Sequence, residues 1–221
     1  MSEVILGTEI IGKNGIKLFT RLMDINDTDS VVTVVNWAYR GKEGTNPWAT
    51  EQGLVDGSRV TPEMLHSELK MDSKLIKLMV VEHIIEESVD GASEATEATT
   101  TTTTNTESGN QKRLVIGCVK IERESLESKE AVVGMLSVDP SYQSSGIGSI
   151  LIRLAEREIQ LWGVQESHLH VVNVRDTLIN WYNKVGYVTT ETTFPFDIEK
   201  NVALKEIHFV LLVKNLPLLS K

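Results

Sequence analysis

The stretch 135–149, Met-Leu-Ser-Val-Asp-Pro-Ser-Tyr-Gln-Ser-Ser-Gly-Ile-Gly-Ser, holds the most legible chemistry of the chain. An apolar strand pattern ends at Val138, Asp139-Pro140 turns the chain, and small residues lead into a long helical pattern. A helix N-terminus leaves its first N–H groups without intrahelical partners, and its dipole favours anions. Glycine at 146 and 148 lets an anion reach main chain that a side chain would cover. The segment reads as a phosphate or pyrophosphate cradle. A dinucleotide fingerprint would need glycine at position 151, and a Walker loop would need glycine there and lysine at 152. The chain has Leu151 and Ile152, so both are excluded. A plain strand–turn–helix connection capped by glycine shares the short pattern, and the glycines alone do not separate the two readings.

Such a cradle needs a strand before it and a helix after it, and the flanking patterns supply both. Glu130 to Val138 reads as a strand. Gly146 to Trp162 reads as a helix, with Ile147, Ile150, Leu151, Leu154 and Ile159 on one face and Gly163 as the stop. Ser167 to Val172 is expected as a strand, and Asp176 to Lys184 as a short helix ended by Gly186. Tyr187 to Glu191 and Glu206 to Val213 are expected as late strands. In the N-terminal half, Ile16 to Met23 reads as a first strand. Asp27 to Tyr39 is expected as a helix from the spacing of Val31, Val34, Val35 and Ala38, although valine is a poor helix former. Thr61-Pro62 opens a second helix running to about Lys70. Strands outnumber helices, and hairpins mix with crossover units, which implies a mixed α/β sheet.

Two motifs, in this order, resemble the GNAT family of N-acetyltransferases. Gln143-Ser144-Ser145-Gly146-Ile147-Gly148 is similar to that family's acetyl-CoA signature, Gln/Arg-x-x-Gly-x-Gly/Ala, and it follows a strand ending in Ser-Val-Asp-Pro. Residues 178–187, Leu-Ile-Asn-Trp-Tyr-Asn-Lys-Val-Gly-Tyr, are similar to its second hallmark, a helix carrying Tyr-x-x-x-Gly-Phe/Tyr. The spacing between the motifs also matches. The resemblance is close over the C-terminal half and looser over the rest. Asn36 to Gly41, Trp48-Ala49-Thr50-Glu51, Gly57-Ser58-Arg59 and Thr193-Phe194-Pro195-Phe196 resemble one subgroup of the family.

The resemblance implies a central, mostly antiparallel twisted sheet of about six or seven strands flanked by about four helices. It implies acetyl-CoA as co-substrate and a primary amine of a small molecule or peptide as acceptor, attacking directly in a ternary complex. It places the CoA pyrophosphate on the N–H groups of Gln143, Ser144, Ser145, Gly146, Ile147, Gly148 and Ser149. It runs the pantetheine arm along Leu136, Ser137 and Val138, where a backbone N–H would polarise the thioester carbonyl. Tyr182 matches the acid that protonates the leaving thiolate; a packing tyrosine beside Trp181 is the bland alternative. The family often has asparagine seven residues before that tyrosine, and this chain has Arg175 there, with Asn173 two residues earlier. Arg175 is therefore expected to reach a CoA phosphate or to pair with an acid on the acceptor side, and a plain position near the start of the short helix is its ordinary reading. No general base is visible. Glu51 is the first candidate for binding or deprotonating the amine, and an exposed loop glutamate is its ordinary reading. His170 alternates with Leu169 and Val171 and faces either the cleft or solvent.

Composition narrows the rest. The chain has 221 residues and a formal charge of −9, which argues against nucleic acid and anionic membranes as partners. Acidity steers cationic amines towards it, so polyamines and basic peptides are compatible acceptors. A single cysteine excludes a disulfide framework, and the histidines show no metal-ligand spacing, so no metal is expected. With no signal-peptide core or apolar span legible, the cytoplasm is the expected location, with the nucleus left open. One N-acetyltransferase domain over 1–221 is expected, with residues 88–111 as a disordered insert between two strands, Lys77 to Glu82 and Leu114 to Glu122. That insert carries eight threonines between Thr96 and Thr106 and almost no large apolar residue. Dimers are the commonest assemblies, so a homodimer is open, although nothing marks an interface. The rival from another class is a catalytically silent CoA-binding or interaction module.

Overall fold

The computed structural model describes residues 3–45, 50–86, 102–105, 110–196 and 202–219. Its strands are β1 Glu9–Ile11, β2 Lys17–Leu22, β3 Val55–Asp56, β4 Ile76–Glu86, β5 Thr102–Asn105, β6 Asn110–Glu122, β7 Glu130–Val138, β8 Glu166–Val172, β9 Val188–Pro195, β10 Val202–Ala203 and β11 His208–Asn215. The helices are α1 Thr28–Arg40, α2 Pro62–Leu69, α3 Ile147–Leu161 and α4 Asp176–Lys184. The main sheet runs β1-β2-β4-β6-β7-β8-β11-β9, with β5 against β6, and β3 pairs with β10 apart from it. All its pairings are antiparallel except β7–β8. The expectation of a mixed, mostly antiparallel sheet with four helices therefore stands. The count of six or seven strands is low, because the main sheet has nine. The short β1 has no readable alternation, and β5 lies in the threonine tract.

Of the segment 88–111, residues 88–101 and 106–109 lie outside the described residues, 102–105 form β5, and 110–111 open β6. The strands on either side of it pair directly, from Ile76 opposite Glu122 to Glu86 opposite Gln111.

Helices cover both faces of the sheet. Leu78 and Val80 of β4 join Val31, Val35 and Leu65 in one core under α1 and α2. Met79 and Val81 join Leu151, Leu154, Ile159 and Tyr182 in the other, under α3 and α4. A strand buried on both faces needs apolar residues at consecutive positions, which accounts for the unbroken run in β4. The same burial explains α1. Val31, Val34, Val35 and Ala38 are all buried, and that packing outweighs the modest helix penalty of valine, less than about 0.7 kcal/mol per residue. Thr61 caps α2 by accepting from the Met64 N–H, with Pro62 in the first turn. Among the described residues no helix is long and apolar enough to cross a membrane.

Cys118 points into the α1–α2 core at 1% exposure, and burial pushes its thiol up to about 12. Only the thiolate reacts. A disulfide reagent at pH 8 is thus expected to leave the native protein unlabelled and to modify one thiol after denaturation. Rapid native labelling would show that this core opens.

Candidate active site

The parallel pairing of β7 with β8 is short. It extends from Glu130 opposite Glu166 to Val132 opposite His168, while the strands continue to Val138 and Val172. A bulge accompanies the parting. Between Cys118 and Lys120 of β6 the register on β7 jumps from Ser137 to Gly134, an extra residue on β7. Met135 takes φ 53° there, rare for a side chain of its size. Ala131 and Val133 therefore face the α3 core, while Met135 is turned into the opposite core. Gly117 of β6 is required at the crossing, since a Cβ on it would lie 2.9 Å from the Ser137 carbonyl oxygen. Between the parted strands lies a cavity of about 790 Å³. Its walls come from α1 and α2 on one face of the sheet and from α3 and α4 on the other.

At the α3 side the turn after β7 is tied down on three sides. The Asp139 N–H donates to the Ile116 carbonyl, and the Asp139 carboxylate accepts from the Ser141 N–H at 2.8 Å. Lys42 Nζ, beyond α1, sits 3.2 Å from that carboxylate and donates to Ser141 Oγ. Tyr142 Oη lies 3.0 Å from His83 Nδ1. Ser144 (φ 65°) and Gly146 (φ 84°) then turn the chain left-handed into α3. The N–H groups of Ser144, Ser145, Gly146, Ile147 and Gly148 find no acceptor among the described residues. Lys13, from the β1–β2 turn, lies along the same loop, its Cε 3.4 Å from where a Gly146 Cβ would be. Five converging donors and an ammonium fit a phosphate or pyrophosphate group. Of the residues expected there, Leu136, Val138, Gln143, Ser144, Gly146, Ile147, Gly148 and Ser149 line the cavity. Ser137 and Ser145 do not; the Ser137 hydroxyl is buried and donates to the Met135 carbonyl. Lys13 had no signal in the sequence, because only the hairpin fold brings it beside Gly146.

Arg175 caps α4, and Tyr182 follows seven residues later, two turns along the same face. Both line the cavity. Side chains on a helix lean towards its N-terminus, which aims Tyr182 back towards Arg175. Tyr182 is 5% exposed and packs edge-on against Trp181 and Tyr187. Burial drives its phenol well above the ordinary value; nearby Tyr39 adds to this and Arg175 opposes it. The phenol thus holds its proton at neutral pH. Asn173 instead accepts from the His208 N–H and ties β8 to β11.

From the α1 side, Glu51 reaches the same region and is buried. Its Oε2 accepts from Arg40 Nη1 at 2.7 Å, and its Oε1 stands 3.9 Å from Arg175 Nη1. Arg175 thus forms an ion pair with Glu51 across the cavity. Arg59 stacks over Tyr39, with 5.1 Å between guanidinium and ring centre. Trp48 and Ala49 lie outside the described residues. His170 is the single histidine among the described cavity-lining residues, with its ring 4.6 Å from that of Phe194. Burial lowers its pKa, nearby His168 lowers it further, and Glu122 opposes. Among the described residues no group of three or more His, Cys, Asp or Glu side chains could hold a metal.

Known proteins share this fold. Residues 80–187 match the model of the acetyltransferase (GNAT) family. A comparison with curated proteins gives no significant sequence match. Among solved structures, the GNAT domain of S. lividans PAT superposes with a TM-score of 0.61 at 14% identity, over 95% of this chain and 96% of that one. The PaiA N-acetyltransferase of Thermoplasma acidophilum, in complex with coenzyme A, gives 0.55 at 16% identity, over 90% and 98%. The ribosomal-protein-S18-alanine N-acetyltransferase of Escherichia coli gives 0.54 at 12%, over 92% and 97%. At these identities the structures establish a shared fold, and within it residues 80–187 carry the sequence match to the acetyltransferase (GNAT) family.

Proposed function

We propose that the chain transfers the acetyl group of acetyl-CoA to a primary amine of a small molecule or peptide, by direct attack within a ternary complex. The observation that carries this reading is the cavity between the parted strands β7 and β8, with a phosphate cradle at one side of the sheet and a protonated, buried phenol within reach of the other. Acetyl-CoA supplies an activated thioester carbon. The N–H groups from Ser144 to Gly148, together with Lys13, hold the pyrophosphate. The unpaired edge of β7 at Leu136 to Val138 offers main-chain hydrogen bonds to the pantetheine arm. The PaiA structure, which holds coenzyme A in the same fold, supports this use.

Proton traffic follows from what the cavity wall holds. A nitrogen–carbon bond forms, the carbon–sulfur bond breaks, and the amine sheds a proton. Tyr182 keeps its proton at Oη and gives it to the departing sulfur. The described carboxylates of the wall are engaged with cations. Glu51 is held by Arg40, and Glu68 and Glu122 flank Lys120 at 2.8 and 3.0 Å. His170, its pKa lowered, is neutral at pH 7 and takes the amine's proton, directly or through one water. Glu51 then organises the arginines rather than accepting the proton.

A base that must be neutral fails once protonated. As pH falls through the lowered pKa of His170, below the ordinary histidine value of about 6.5, kcat/KM is expected to drop about tenfold per unit. His170→Ala is expected to lower the rate at pH 7 and to remove that acidic limb. An unchanged limb in the variant would assign the base elsewhere.

Thermal unfolding with and without acetyl-CoA tests the reading as a whole. Saturation at ~100 times the dissociation constant stabilises by about 2.7 kcal/mol. No shift would overturn the proposal. A shift is expected, followed by thiol release on adding an amine acceptor; native Cys118 is too buried to contaminate that assay.

A further inference from the structure

Among the described cavity-lining residues two buried side-chain atoms have no hydrogen-bond partner, Glu68 Oε2, whose other oxygen is held by Lys120, and Arg175 Nη2. Arg175 Nη2 is buried and makes no hydrogen bond, and the whole residue is 8% exposed. Its nearest anion, Glu51, stands 3.9 Å from the other terminal nitrogen and gives its closer contact to Arg40. Arg59 also lines this region and has no carboxylate partner among the described residues. Arg40 and Arg175 therefore share one carboxylate, and Arg59 lines the same cavity. Desolvating a charged donor without pairing it is costly, and such a group persists where something else completes it. Burial pulls the Arg175 pKa below its ordinary value against the pull of Glu51, so one carboxylate does not compensate the site.

We infer that the acceptor amine also carries an acidic group, a carboxylate or a phosphonate, which binds Arg175 Nη2 with Arg59 beside it. This rests on the acetyltransferase reading and deepens it. A guanidinium presents two parallel N–H groups that match the two oxygens of such an acid, and a charge-assisted pair is stronger than a neutral one. The acceptor is then an amino-acid-like zwitterion. Its acid is anchored on the arginines and its nitrogen is left towards His170. The overall charge of −9 favours cationic amines at long range, but the local charge at this wall is positive and governs contact.

Calorimetric titration of the free protein reads the inference without any turnover. The probes are L-alanine, L-glutamate and aminomethylphosphonate, each an amine with an acid, set against L-alaninamide and putrescine, which lack one. At least one acid-bearing probe is expected to bind tenfold or more tightly than the acid-free pair. Carboxylate and phosphonate arms show which acid fits. Arg175→Gln is expected to abolish that preference, and Arg59→Gln, at a more exposed position, to reduce it if Arg175→Gln fails to fold. Equal binding of acids and their acid-free counterparts, binding by none, or preference retained in both variants would overturn the inference. Acetyl-CoA titrated in parallel separates the two failures. Acetyl-CoA binding with thiol release driven only by neutral or cationic amines sinks the acidic acceptor and spares the acetyltransferase. Acid binding without acetyl-CoA binding does the reverse.

Discussion

Tyr182→Phe is expected to lose ~10²–10⁴-fold in kcat while folding and binding acetyl-CoA as the parent does. The substitution removes a single oxygen. That oxygen has no hydrogen-bond partner among the described residues, so its loss strands no donor or acceptor. The ring contacts with Trp181 and Tyr187 survive, because they are made by the aromatic face and edge. Melting temperature should stay close to the parent's. At about 1.36 kcal/mol per decade, the expected loss is roughly 3–5.5 kcal/mol of barrier, all of it in the chemical step. Since burial raises the phenol, the parent's kcat should hold level to pH 10, with no basic limb from this residue. Thiol release measures kcat and calorimetry measures binding. Full turnover in the variant would hand the acid role to another group and return Tyr182 to packing.

Gly146→Asp is the second large effect, and it falls on binding. Gly146 sits at φ 84° in the N-cap of α3, so any side chain there is strained by about 1–2 kcal/mol. Space is not the obstacle. A Cβ would meet the flexible stem of Lys13 at 3.4 Å, an ordinary contact. The charge decides the outcome. An aspartate would offer its own oxygens to the N–H groups from Ser144 to Gly148 and repel a phosphate from them. Two like charges at 4 Å with an effective dielectric of 20 cost about 4 kcal/mol, on the order of 10³-fold in affinity. Gly146→Ala carries the same backbone strain without the charge and should keep most of the affinity. Unchanged CoA affinity in the aspartate variant would refute the cradle assignment. Equal loss in both variants would attribute the effect to the backbone.

What could be read ahead of the fold was local. Glu130–Val138 and Asp176–Lys184 have the expected bounds, because alternation and caps act within a few residues. The strand–turn–helix that frames the proposed cradle was legible for the same reason, since a strand end, a Pro turn and two glycines before a helical face stand in contiguous order. Glu51 and His170 were legible as residue types but not as roles. Whether a carboxylate is a base depends on what stands next to it, and Arg40 and Arg175 reach Glu51 from separate elements.

The sequence by itself determined the mixed sheet, the helix faces, the glycine loop at the head of α3 and the tyrosine on α4. Each of these follows from periodicity or from one short run of residues. Only the tertiary structure decided that Met135 turns left-handed at a bulge, that β7 and β8 part after Val132 and His168, and that Lys13 reaches Gly146. It alone brought Arg40 and Arg175 to one carboxylate at the cavity wall, with Arg59 lining the same cavity. A bulge is a compromise between three strands, and a charge cluster is a sum over residues distant in the chain. No local pattern encodes either, because the energy that fixes them comes from burial and pairing that exist only once the sheet has closed on its helices.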